Sequence, residues 1–232
     1  FRLWRSEWNR CLYGLYASLR SQYWMNPISN SSLADNKYFQ FELARSVGFN
    51  IPDMISSNDQ KALRRFSEAG PTAINFMTQD IYKAADGGYS GIYVNKISPD
   101  DLDNFMPDSE NPITLQRYIE KDFEVRNTFV SGINFTCKIE SQRSNRANVD
   151  WRRYDVANTP HSEISLPNEI DMQVSSIMAR LGLSYGAFDF IVDKDGKWWY
   201  LEVNSAGQWL WIEDLLNLPI SEKIASSLIR SM

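Results

Sequence analysis

The chain has 232 residues, 43% hydrophobic and 23% charged, with a net charge of −5. That is enough apolar material for two or three subdomains, and the acidic balance argues against general nucleic-acid affinity. Cys11 and Cys137 lack paired spacing, so no disulfide framework or zinc site is suggested and a reducing, cytoplasmic setting fits.

No apolar run approaches the about 18 residues of a membrane span, and the opening Phe1-Arg2-Leu3-Trp4 is no signal peptide. That start is abrupt, so further residues are expected upstream. Trp8, Leu12, Leu15, Tyr16 and Leu19 recur at helical spacing, which predicts an amphipathic helix over 6–20. A second helix is expected over 33–47, stopped by Gly48, and a short charged one over 59–69. Strand candidates follow at Thr72–Met77, Ser90–Asn95 and Ile113–Ile119, with a flexible turn at Asp86-Gly87-Gly88. Phe123–Val130 and Ile133–Ser141 alternate around Ser131-Gly132, a hairpin pattern. Residues 143–165 read as a long polar loop. Ile170, Val174, Met178 and Leu181 form one helical stripe that Gly182 ends, and Pro219 opens a final helix. Mixed elements with two hairpins predict an α+β fold with largely antiparallel sheets.

The second hairpin carries the most chemistry. Gly186–Val192 and Lys197–Asn204 are strand-like and flank Asp195-Gly196, a strong turn signal. With Asp195-Gly196 as the turn, Asp189 falls opposite Glu202. Period-two alternation then puts Asn204 on their face and Phe188, Phe190, Val192, Trp199, Leu201 and Val203 on the core face. Like charges directly opposite on a sheet repel. A hard divalent cation taking oxygen ligands offsets this, which makes Asp189, Glu202 and Asn204 a candidate Mg²⁺ site. Glu124 and Arg126 share a strand face by the same period. Arg126 suits a bidentate phosphate contact. An aromatic content of 13% suits a broad binding surface as well as a core.

Taken together, Leu181–Phe190, Leu201–Trp209 and Trp211-Ile212-Glu213 resemble the ATP-grasp ligases that macrocyclise ribosomal peptides, the microviridin-type or graspetide maturases. Asp122–Arg126, Ser141-Gln142, Asp150-Trp151-Arg152, His161, Leu166-Pro167 and Asn36-Lys37 add to the likeness, which runs over about 24–230. The resemblance implies a remainder of an N-terminal region (1–54), a central subdomain (55–119) and a C-terminal subdomain with the metal hairpin (120–232), with the nucleotide between the last two. It implies ATP and Mg²⁺ as cofactors, a leader-bearing precursor peptide as partner and a homodimer. By the same likeness, Gln116, Arg117, Tyr118 and Ile119 form the adenine-binding hinge, Glu124 holds ribose hydroxyls and Lys37 approaches the phosphates. Arg152 orients the acceptor carboxylate, and Asp150 acts as base on the incoming hydroxyl or amine. His161, Gly207 and Gln208 are substrate-side candidates, the glycine because it permits close backbone approach.

Two departures stand out. The family's N-terminal extension is absent from this chain. Asn75 stands where the family carries a central-subdomain lysine, so either Thr78–Gly88 is rearranged or lacks residues, or Lys83 takes that role, or nucleotide binding is weakened. The expected activity is ATP-dependent joining of Asp or Glu side chains of the peptide to hydroxyl or amine side chains. A ligase adding a free amino acid or small metabolite, or a catalytically weakened binding relative, is the alternative.

Overall fold

Among the described residues, a four-stranded and a five-stranded antiparallel sheet are joined by residues 118–120, and Tyr82–Lys83 pairs with Tyr89–Ser90 in a short two-stranded sheet. The computed structural model describes residues 2–19, 23–75, 82–83, 89–90, 95–104, 112–143 and 158–229. Helices α1 (Arg2–Ser18), α2 (Ile28–Ala34) and α3 (Lys37–Ser46) precede β1 (Met54–Ser57), α4 (Gln60–Glu68) and β2 (Thr72–Asn75). Then come β3 (Tyr82–Lys83), β4 (Tyr89–Ser90), β5 (Asn95–Ile97), α5 (Asp101–Asn104) and β6 (Ile113–Arg117). The second half runs β7 (Lys121–Val130), β8 (Ile133–Ile139), β9 (His161–Glu163), α6 (Asn168–Leu181), β10 (Tyr185–Asp193), β11 (Trp198–Asn204), α7 (Leu210–Leu216) and α8 (Ile220–Ile229). The first sheet has the order β1-β6-β2-β5 and the second β11-β10-β7-β8-β9. The fold is α+β, as the patterning predicts.

Helices α4 and α5 cover the first sheet through Leu63, Leu102, Ile74 and Leu115. On the second sheet, the apolar stripe of α6 meets Phe188, Phe190, Val192, Tyr200 and Val203, and Phe41, Ala44 and Phe49 join the same cluster. The segment through α3 is therefore built into the core of the five-stranded sheet. Strand β10 is buried through Val192, as befits the centre of a sheet covered on both faces. The opposite face packs Val130, Cys137, Ile139 and Tyr185 against Ile212 and Ile220 of α7 and α8.

Several boundaries differ from expectation. The single helix expected over 33–47 is two, because the Asn36 side chain accepts from Phe39 N at 3.1 Å and starts a new helix. Strand β6 ends at Arg117, and the far end of the strand expected over Thr72–Met77 lies outside the described residues. Helix α1 forms with the predicted period, yet Trp8, Leu12, Leu15 and Tyr16 on its stripe stay exposed. Among the described residues, no helix is long and apolar enough to cross a membrane.

The β10–β11 hairpin reaches the expected pairing by a different route. Asp193 pairs with Lys197 around Lys194-Asp195-Gly196. Asp193 N donates to Lys197 O, Gly196 N to Asp193 O, and Gly196 has φ +79°. That is a three-residue loop with glycine in the left-handed region. The register is one residue off the two-residue turn: Val192 faces Trp198 and Phe190 faces Tyr200. A bulge at Leu201 then restores it, so that Asp189 faces Glu202 and Ala187 faces Asn204. The bulge also swaps faces. Tyr200 and Trp198 pack into the core in place of Leu201 and Trp199.

Cys137 is fully buried and Cys11 exposed, and burial pushes the Cys137 thiol up to about 12. A thiol-reactive dye at pH 8 is therefore expected to label one cysteine in the native chain and two in denaturant. Two fast equivalents under native conditions would contradict this packing.

Candidate active site

Strand β10 lies between β7 and β11, and Asp189 pairs with Arg126 on one side and with Glu202 on the other. Alternation points all three away from the Phe188–Phe190 core. Arg126 Nη1 lies 2.8 Å from Asp189 Oδ2, and both side chains are almost fully buried. Lys37 Nζ lies 3.0 Å from Glu202 Oε2, again in a nearly buried pair. The two facing carboxylates are thus each matched by a cation from a different element, which offsets their repulsion.

A hydrogen-bonded chain extends from Lys37 to the first sheet. Lys37 Nζ donates to Asn75 Oδ1 at 3.3 Å, and Asn75 Nδ2 donates to Gln116 Oε1 at 3.1 Å. Asn75 therefore links Lys37 to Gln116 and helps hold the lysine in place. Gln116 is buried, and its Nε2 has no hydrogen-bond partner among the described residues. A buried, unsatisfied amide N–H is costly unless a ligand oxygen or ring nitrogen accepts from it. Glu124 is buried against Lys121 at 2.8 Å. No pattern in the sequence marks Lys121 out from a surface lysine.

The residues expected to form the hinge divide. Arg117 turns its guanidinium onto Gly70 O, Phe66 O and Thr72 Oγ1, where it stacks over Phe66 and fastens the end of α4. The backbone N–H groups of Arg117 and Tyr118 donate to Asp53 O and Pro71 O. The Tyr118 ring lies under Lys96 Nζ at 3.7 Å, and burial raises its hydroxyl pKa. Ile119 and Glu120 then carry the chain into β7.

The loop after β11 closes over Arg126. Arg126 Nη2 donates to Gln208 O at 3.2 Å, and the Tyr185 hydroxyl donates to Gly207 O. Burial pushes that hydroxyl up to about 12, with Arg126 acting in the opposite direction. A Cβ on Gly207 would overlap Ala187 and lie 2.7 Å from Arg126 Nη2. The close approach at this glycine is thus to Arg126 and Ala187. Gly207→Ala is expected to displace Arg126 and cut kcat on the order of tenfold to a hundredfold, as small misplacements do. Steady-state kinetics checks this, and an unchanged kcat would show the loop is not tied to the chemistry. Asn204 Oδ1 accepts from Ala206 N at 2.9 Å, which starts the same loop.

His161 lies at the far edge on β9, edge-on to Trp211 at 5.7 Å. Burial lowers its pKa. Trp209 and Trp211 pack on the second core face. Asp150, Arg152 and the side chain of Lys83 lie outside the described residues. The structure therefore brings Lys37, Gln116, Arg126, Asp189, Glu202 and Gln208 into one connected group and leaves His161 and the Arg117 side chain apart from it.

The donor set at the strand pair suits a hard cation: two carboxylates in direct register and an amide oxygen-bearing residue one step along. Among the described residues no group of three or more His, Cys, Asp or Glu is placed to hold a metal ion by itself. Few protein ligands fit Mg²⁺, which keeps waters and substrate phosphates in its shell.

Neither a family model nor a curated protein sequence matches the chain; the likeness is to solved structures. A RiPP-associated ATP-grasp ligase from Chryseobacterium gregarium, in complex with ADP and a leader and core peptide, superposes with TM-score 0.90 at 26% identity, covering 100% of this chain and 70% of that one. The macrocyclase MdnC of Microcystis aeruginosa, bound with the precursor peptide MdnA, gives 0.85 at 31%, covering 98% and 71%. MdnB from the same organism gives 0.77 at 29%, covering 97% and 68%. The fold is that of the ATP-grasp ligases. The chain belongs to the RiPP-associated branch that includes MdnC.

Proposed function

We propose that the chain uses ATP and Mg²⁺ to activate Asp or Glu side chains of a ribosomal precursor peptide and joins them to hydroxyl or amine side chains, closing rings. The observation that carries this is the register of Asp189 against Glu202 on one face, in a chain of this family. The peptide carboxylate oxygen attacks the γ-phosphorus and the bond to ADP breaks. The hydroxyl or amine then adds to the acylphosphate carbonyl and releases phosphate. Such transfers depend on positioning and on charge placed around the phosphoryl oxygens. When bound between Asp189, Glu202 and Asn204, the metal supplies positive charge to those oxygens.

The chain's own groups do the rest. Lys37 and Arg126 balance the two carboxylates and offer cationic donors on the same face. Gln116 and the backbone of Ile119 face the nucleotide between residues 55–119 and 120–232, and the buried Glu124 stands by the ribose. Asp150 serves as base and Arg152 orients the acceptor. A leader segment of the precursor holds the peptide in place.

The test is a precursor peptide with its leader, incubated with the chain, ATP and Mg²⁺. The expected product has lost one water per bond formed, with one ADP released each time. A peptide that instead gains the mass of an added amino acid would establish the metabolite-adding ligase. Nucleotide binding without ADP release would establish a binding relative. Resistance of the bond to mild base separates amide from ester.

A further inference from the structure

We propose that Gln40 is a positioning residue for the metal strand, holding Glu202 and Asn204 in place from outside the site; this deepens the metal reading above and rests on it. Gln40 lies on α3 one turn after Lys37 and is 2% exposed. Its amide makes four hydrogen bonds. Nε2 donates to Val203 O at 2.9 Å and to Ala34 O. Oε1 accepts from Val203 N at 3.0 Å and from the Tyr200 hydroxyl at 2.8 Å. That is the full capacity of a carboxamide.

Val203 is the residue between Glu202 and Asn204, and β11 is an edge strand of its sheet. The Gln40 amide pairs with both backbone groups of Val203, as a neighbouring strand would. It does so next to the bulge at Leu201, where the ladder to β10 is locally disrupted. The same amide grips Tyr200 on the other side of that bulge. A slip of one residue would turn Glu202 into the core and bring Leu201 into the site. A methionine would fill much the same volume with none of these bonds, so packing alone does not call for an amide here. With Lys37 on Glu202 itself, the first turn of α3 fixes the ligand strand at two adjacent residues.

The test uses Mn²⁺ as a spectroscopic probe of the folded chain with ADP, following free Mn²⁺ by electron paramagnetic resonance. Wild type is expected to bind the ion and Glu202→Gln to lose it. Gln40→Met is expected to weaken Mn²⁺ about tenfold to a hundredfold, the range for residues that orient metal ligands, with ADP affinity in EDTA unchanged. Tyr200→Phe, which removes only the hydroxyl, is expected to shift Mn²⁺ affinity less and in the same direction. Wild-type Mn²⁺ affinity in a folded Gln40→Met chain would overturn the proposal. Should that variant not fold, wild-type affinity in Tyr200→Phe overturns it instead. No Mn²⁺ binding by wild type overturns the metal reading itself, and this proposal with it.

Discussion

Glu202→Gln is expected to lower product formation at least about a hundredfold, in the range seen when one charge-stabilising group is removed from a transition state, while leaving the chain folded. The carboxamide keeps the shape of the side chain and can still accept from Lys37, but it carries no charge for a metal. Lys37 also keeps Asn75 Oδ1 at 3.3 Å. Removing the charge opposite Asp189 relieves a like-charge contact across the strand pair. The two effects oppose each other, so the cost in stability should stay within about 1–2 kcal/mol. Mass analysis of the peptide product and a urea melt of the same preparation check both parts. Product at the wild-type rate would remove Glu202 from the metal set.

Arg126→Met is expected to be the most damaging single change to stability, at about 3–5 kcal/mol, the cost of stripping the partner from a buried charge. The Arg126 side chain is 7% exposed and that of Asp189 10%, with 2.8 Å between the charged atoms. The change also leaves Gln208 O without its donor and loosens the loop that Tyr185 ties down. Adding Asp189→Asn to Arg126→Met should recover part of the loss, because the unmatched charge is then gone. Chemical denaturation of the single and double variants measures this coupling. Full additivity would mean the two side chains do not interact in solution as they do in the structure.

Much of this architecture was legible in the residues. The stripe Ile170, Val174, Met178 and Leu181 lies on one buried face of α6, and Gly182 ends the helix with φ +62°. Such local signals survive because tertiary packing agrees with them. The β10–β11 hairpin is more instructive. An Asp-Gly pair suggested a two-residue turn. The chain instead makes a three-residue loop in which Asp193 Oδ1 accepts from Asp195 N and Lys197 N. The bulge at Leu201 compensates, so Asp189 still meets Glu202, but Tyr200 displaces Leu201 from the core. Turn chemistry is local, whereas the bulge depends on what grips the far edge of β11. That grip comes from Gln40 and Asn50, whose partners on β11 lie 148 to 163 residues away in sequence: Asn50 O accepts from Tyr200 N, and its Nδ2 donates to Trp198 O.

The pairing of the cations with the two carboxylates was the least legible part. Lys37 reads as a solvated helical lysine by local pattern, and only the fold carries it to Glu202. Asn75 reads as a missing lysine, yet it connects Lys37 to Gln116. Asn26 gives no signal beyond a loop start before Pro27. It nonetheless donates to Tyr185 O and Ser205 O and accepts from Ser184 N and Tyr185 N, closing the base of the β10–β11 hairpin. Pairings between residues this far apart leave no periodicity in sequence, because each depends on one side chain meeting one backbone group.

The most direct measurement is an anomalous-scattering map from crystals of the chain grown with Mn²⁺ and ADP. It should place the ion between the oxygens of Asp189, Glu202 and Asn204, in contact with the diphosphate. A peak elsewhere, with Asp189 still paired to Arg126 and Glu202 to Lys37, would contradict the assignment.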